Sequence, residues 1–79
     1  LSRGARHSDI CVLVRNGKAE FAVECKSGEA ALSRNIAYFS QRTSIPVFYQ
    51  VHMGKKDYEV SGIRARVLPL IELARMLGV

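Results

Sequence analysis

The stretch Asp9-Ile10-Cys11-Val12-Leu13-Val14-Arg15-Asn16-Gly17-Lys18-Ala19-Glu20-Phe21-Ala22-Val23-Glu24-Cys25-Lys26 decides how this chain is read. Asn-Gly between two apolar, β-branched segments is the strongest short-range signal for a two-residue type I′ hairpin. With Asn16 and Gly17 at the turn, Arg15 lies opposite Lys18. Counting outward pairs Leu13 with Glu20, Cys11 with Ala22, Asp9 with Glu24 and His7 with Lys26. Side chains alternate faces along a strand, so Asp9, Glu24 and Lys26 are expected on one face. Two carboxylates directly across a ladder repel each other unless they share a cation. The pattern therefore predicts a divalent-metal site with a lysine beside it.

Outward from the hairpin, Ser27-Gly28 ends the return strand. From Ala30 to Arg42 the spacing of Leu32, Ile36 and Phe39 predicts a helix, with Arg34, Gln41 and Arg42 facing water. Ile45 to His52 is a second dense apolar run, in which Pro46 suits only the start of a strand. Strand, helix and strand make a βαβ unit with parallel strands and a right-handed crossover. Met53 to Asp57 reads as a polar loop, and Tyr58 to Val67 alternates loosely, ending as a strand at Ile63–Val67. Pro69 suits the first turn of a last helix, with Leu70, Leu73, Ala74 and Leu77 as its apolar stripe and Gly78 closing it. The expected class is α/β, a mixed sheet of three or four strands with flanking helices. So small a sheet looks incomplete and predicts a further helix and strand upstream.

Seventy-nine residues make a single domain, 1–79, and 48% hydrophobic content excludes a disordered chain. Apolar runs of five or six residues fall far below the ~20 of a membrane span. The first seven residues carry no signal-peptide core, and the chain opens on Leu1 rather than methionine, so it is expected to be a piece of a longer protein. Twelve Lys and Arg against seven Asp and Glu give a net charge of +5, which fits a solvated surface or a phosphate-rich partner. Arg3, Arg6, Lys55, Lys56, Arg64 and Arg66 are scattered rather than gathered in a tail. Cys11 and Cys25 fall on opposite faces of the expected hairpin and read as small core residues. With no CxxC pair a structural zinc site is excluded, and a reducing, cytoplasmic compartment fits. His52 reads as a strand-end residue rather than a base. Gly54-Lys55-Lys56 is not a phosphate loop, because Tyr49 stands where its first glycine is required.

An Asp, a hairpin, Glu24-Cys25-Lys26, a helix and a parallel strand together resemble the PD-(D/E)XK nuclease superfamily with its restriction-endonuclease-like core. More closely, Ser8-Asp9-Ile10, Val23-Glu24-Cys25-Lys26-Ser27-Gly28 and the ending Gly62-Ile63 with Val67-Leu68-Pro69-Leu70 are similar to the C-terminal domain of unknown function fused to prokaryotic AAA-type P-loop ATPases. The approach His7-Ser8-Asp9 departs from many relatives in having no proline before the acid. The resemblance implies that Asp9, Glu24 and Lys26 are catalytic. Asp9, Glu24 and the backbone carbonyl of Cys25 would hold Mg²⁺ or Mn²⁺, and Lys26 would orient the attacking water or stabilise developing charge. It also implies DNA as substrate and an ATPase domain upstream in the same protein. The other reading is a catalytically inactive module for nucleic-acid or protein binding, or for assembly into a homo-oligomer. Arg34 and Tyr38, one turn apart on the expected helix, are candidate phosphate contacts, with an ordinary helix surface as the alternative.

Overall fold

Asn16 and Gly17 both take positive φ, 54° and 77°, which is the backbone of a type I′ turn. The computed structural model describes residues 10–28 and 31–78. The turn joins β1 (Ile10–Arg15) to β2 (Lys18–Cys25) as an antiparallel pair in which Arg15 faces Lys18, as expected. Beyond that the register departs from the count. Val14 faces Ala19 and Leu13 faces Phe21, so Glu20 is an extra residue and β2 carries a bulge there. A one-residue slip moves every later partner, and Glu24 faces Ile10. That is the place expected for Asp9, which itself lies outside the described residues, as does His7.

The slip also overturns the reading of the cysteines. Cys11 faces Val23, and Cys25 lies two residues further along β2, so both sulfur-bearing side chains project to the same side. Both are exposed rather than core. In exchange, Ile10 joins Ala22 on the opposite side, where a larger apolar group packs against the core cluster of Ala22, Ile36, Phe48 and Ala65.

The crossover runs from β2 through α1 (Arg34–Arg42) to β3 (Phe48–His52), and β2 and β3 pair in parallel. The helix starts later than its periodicity predicts. Ser33 caps it, its Oγ accepting from the Asn35 amide at 3.0 Å, and Leu32 packs beside the core from outside the helix. With that start the inward line is Ile36 and Ser40, and Phe39 is exposed rather than buried. Strand β3 likewise begins at Phe48, clear of Pro46.

Tyr58 to Val67 holds two strands rather than one. Gly62 and Arg64 adopt left-handed φ of 89° and 57°, making a turn between β4 (Tyr58–Val60) and β5 (Ala65–Pro69). Arg64 tolerates that backbone because its guanidinium is anchored, donating to the carbonyls of Ser40, Thr43 and Ile45 at 2.9, 3.3 and 3.1 Å. Among the described residues the sheet therefore has five strands in the order β1-β2-β3-β5-β4, with β3 parallel to β5. Pro69 is the last residue of β5 and the N-cap of α2 (Leu70–Leu77), not its first turn. Helix α2 covers the other side of the sheet through Leu73, packed with Val51 and Leu68. Leu70 and Leu77, expected in that stripe, are exposed. Gly78 closes the helix in the left-handed region, as expected. Among the described residues no helix is long and apolar enough to cross a membrane.

The turn can be tested alone, because a Cβ on Gly17 meets nothing within 4 Å and its penalty is purely backbone. Gly17→Ala is expected to lower unfolding free energy by about 1 kcal/mol, the strain of an L-residue at this φ. An unchanged urea midpoint would show that the hairpin is not held in type I′ geometry.

Candidate active site at the carboxyl ends of the parallel strands

Glu24 stands one residue before the end of β2, and the parallel ladder sets it beside Gln50 on β3. Both project to the side covered by α1, the side of Ala22 and Phe48, and both are buried, at 2% and 0% exposure. Lys26 follows on the same side. Its Nζ lies 3.4 Å from Glu24 Oε2, and its side chain reaches partly into solvent. Glu24 Oε1 is buried with no hydrogen-bond partner among the described residues. Leaving a buried acceptor unsatisfied costs about 1–3 kcal/mol, more for a charged group, so such an oxygen calls for a functional account.

Backbone directions add a second oxygen. Ala22 and Lys26 donate their amides to Val47 and Val51 on the β3 side. Polar groups of alternate residues along a strand face opposite neighbours, so the Cys25 carbonyl points away from β3, toward the β1 side. Glu24 Oε1 and this carbonyl are hard oxygen donors of the kind Mg²⁺ selects. Among the described residues no three His, Cys, Asp or Glu side chains converge as a metal-binding group. Asp9, the further ligand the sequence suggests, lies outside the described residues, and the expected Asp9–Glu24 cross-strand pair is replaced by Ile10–Glu24.

Gln50 roofs the site. Its Oε1 accepts from the Ser33 amide at 2.7 Å, and its Nε2 donates to the Ala31 carbonyl at 3.1 Å. These bonds tie the N-terminal end of α1 down over the sheet, next to Glu24. Nothing in the reading of the motif singled out Gln50. The available signal was a lone amide in an apolar run, two residues from Phe48 and therefore on its inward side. His52 comes next on that side, 1% exposed and committed to backbone. Its Nδ1 accepts from the Gly54 amide at 2.9 Å, so Nε2 carries the hydrogen it donates to the Lys56 carbonyl at 2.8 Å.

Arg34 opens α1 at this same end and is exposed. Tyr38 follows one turn later, half exposed, with the Arg42 guanidinium 3.8 Å over its ring and Phe39 edge-on at 5.3 Å. One face of that ring is thus already covered. A cleft of about 350 Å³ bounded by Pro46, Gly62 and Arg64 lies at the opposite, amino ends of β3 and β5, away from Glu24. Arg66 lines it and is bound as a fork to Asp57, with both bonds at 3.0 Å. That contact raises the guanidinium pKa above its ordinary value, against the opposing effect of desolvation.

No protein-family profile, no curated protein and no solved structure matches this chain.

Two substitutions separate a structural site from a functional one. Gln50→Leu orphans the buried Ser33 amide and removes the bond to the Ala31 carbonyl, and should cost about 1–3 kcal/mol of unfolding free energy. Glu24→Leu removes a buried carboxylate with one unsatisfied oxygen at similar volume, and Lys26, left without its partner, can turn to solvent, so stability should rise by about 1 kcal/mol. Denaturant titration reads both, and a Glu24→Leu protein less stable than wild type would mean that the carboxylate serves the fold.

Proposed function

We propose that this chain is a metal-dependent, nuclease-like domain that hydrolyses phosphodiester bonds in DNA. The observation that carries the reading is the buried Glu24 carboxylate. One oxygen has no partner among the described residues and the other lies 3.4 Å from Lys26, at the carboxyl end of a parallel strand. Open α/β sheets bind their ligands outside those strand ends. The donors fit a hard cation, and Glu24 with the Cys25 carbonyl would hold it, with Asp9 as the further ligand the resemblance implies. Bound there, Mg²⁺ or Mn²⁺ would lower the pKa of a coordinated water and neutralise phosphate charge.

The chain's own residues supply the rest. Lys26 places an ammonium group at the mouth, where it can orient a nucleophilic water or stabilise charge developing on phosphate oxygens. Gln50 holds the helix end that roofs Glu24, and Arg34 adds a cation at the same end. Following the resemblance, the domain would serve as the C-terminal part of an AAA-type ATPase, with ATP hydrolysis located outside this chain.

A second reading, a non-catalytic module that binds nucleic acid or another protein or self-associates, draws on the register. Ile10 rather than an acid faces Glu24, which leaves one described carboxylate at the site. Cleavage of plasmid and branched DNA with Mg²⁺ or Mn²⁺ decides between them. Glu24→Gln and Lys26→Ala are each expected to lower the rate on the order of 10²–10³-fold while DNA binding persists. Mn²⁺ should broaden NMR resonances around Glu24–Lys26 before those of Asp57 and Glu59. Absence of metal-dependent cleavage, or equal cleavage by wild type and both variants, would transfer the assignment to the binding module.

A further inference from the structure

We infer that strand β1 is a self-association surface, through which two copies of this chain join their sheets edge to edge about a two-fold axis. The inference gives a surface to the self-association named in the second reading above and does not depend on the nuclease assignment. The amides of Ala22 and Lys26 point to β3, so those of Phe21 and Val23 address β1. Their ladder partners Leu13 and Cys11 are thereby engaged by β2. The alternate residues Ile10, Val12 and Val14 turn their N–H and C=O groups to the open edge, where no strand pairs with them among the described residues.

The two edges of the described sheet differ in how they are protected. Edges are commonly blunted by short strands, charges or proline. Strand β4 is three residues long with Glu59 at its centre. Strand β1 runs six residues, holds no lysine or proline, and carries its one charge, Arg15, at the end. Its side chains are apolar on both sides, with Val12 45%, Leu13 40% and Val14 59% exposed. On the α1 side, Ile10, Val12, Phe39, Thr43, Ile45 and Phe48 line a groove of about 210 Å³. A second copy matches this edge. A two-fold axis perpendicular to the sheet returns each side to itself, so paired residues must both be even or both odd in number. Among antiparallel registers that obey this rule, the one centred on Val12 pairs every outward residue, Val12 with Val12 and Ile10 with Val14 twice. Registers centred on Cys11 or Leu13 leave one of them out. Val12 and Val14 of each copy then lie one strand spacing, about 4.8 Å, from the groove wall of the other. The two Arg15 side chains end about 20 Å apart along the strands, whereas parallel pairing would set them side by side. The contact uses up β1 in both copies, and the blunt β4 edge stops growth at the dimer.

The test is sedimentation velocity of the 79-residue chain over a concentration series, with circular dichroism to confirm folding. Wild type should pass from the 8.8 kDa monomer to a species of twice that mass and stop there. One strand from each copy makes a small interface, so the midpoint is expected at micromolar concentration. Val12→Lys sets two ammonium groups directly opposite at the axis and should leave the chain monomeric. Val14→Pro removes an outward N–H at an edge position, where proline is tolerated, and should weaken the dimer. Ile71→Lys, on the exposed side of α2, should leave the dimer intact. In a background of Cys11→Ser and Cys25→Ser, Val12→Cys should crosslink on mild oxidation and Arg15→Cys should not, because only position 12 meets itself within disulfide range. Should Val12→Lys not fold, the proline and cysteine variants carry the same decision. The inference is overturned by a wild-type chain that stays monomeric or grows without limit. A dimer lost as readily to Ile71→Lys as to Val12→Lys, or crosslinked through Arg15→Cys, overturns it equally. Cleavage of DNA is measured on the same samples. A dimer without metal-dependent cleavage keeps this inference and removes the nuclease, whereas cleavage by a chain that never dimerises does the reverse.

Discussion

The hydrogen bonds of the Gln50 side chain are the constraint on which the rest of the site depends. A fully buried primary amide has a donor side and an acceptor side, and here each meets a backbone group of the segment entering α1. The bond to the Ser33 amide lies inside the protein, and losing it leaves a buried donor unsatisfied. The entry to α1 is therefore fixed relative to β3, and β3 is fixed to β2 by the parallel ladder. Glu24, next to Gln50 on that ladder, is buried on the same side of the sheet, although a carboxylate by itself prefers water.

This arrangement leaves a local conflict. The ammonium of Lys26 lies within reach of one Glu24 oxygen, but the other is buried with nothing to accept from among the described residues. A sequence selected for stability alone would place an apolar residue there, as Ala22 is placed two positions earlier on the same side. Such departures from consistency tend to mark functional positions. The basic residues sort on the same principle. Arg64 and Arg66 serve the fold, one holding carbonyls at the end of α1 and the other forking onto Asp57. The net charge of +5 is thus a poor guide to ligand contacts until these residues are separated from those at the strand ends.

Strand β1 shows how a small irregularity redistributes chemistry. One additional residue at Glu20 turns Ile10 and Val12 toward α1 and sends Cys11 to the other side. Among the described residues β1 is an edge strand paired with β2, and Val12, Leu13 and Val14 are exposed. Alternation within β2 is unaffected, so Glu24 and Lys26 still share a side.

The hairpin, the crossover to a parallel strand, the closing glycine of α2 and the nearness of Glu24 to Lys26 were all legible in the chain. Each depends on local backbone preference or on period-two alternation over a few residues: Asn16-Gly17 can take positive φ cheaply, and residues two apart share a side wherever the strand is continuous. Beyond that reach the sequence was silent. A bulge changes no propensity, so only the pairing of two whole strands could put Ile10 in the place expected for Asp9. The turn at Gly62 and Arg64 is stable because the guanidinium finds carbonyls about twenty residues away. Gln50 and His52 looked like polar interruptions of an apolar run, and their partners belong to segments that only folding brings near. Tertiary structure decided register, the roof over Glu24 and the pinning of the loop after His52. Each is a long-range hydrogen-bonding or packing choice, made by groups that do not meet until the sheet is assembled.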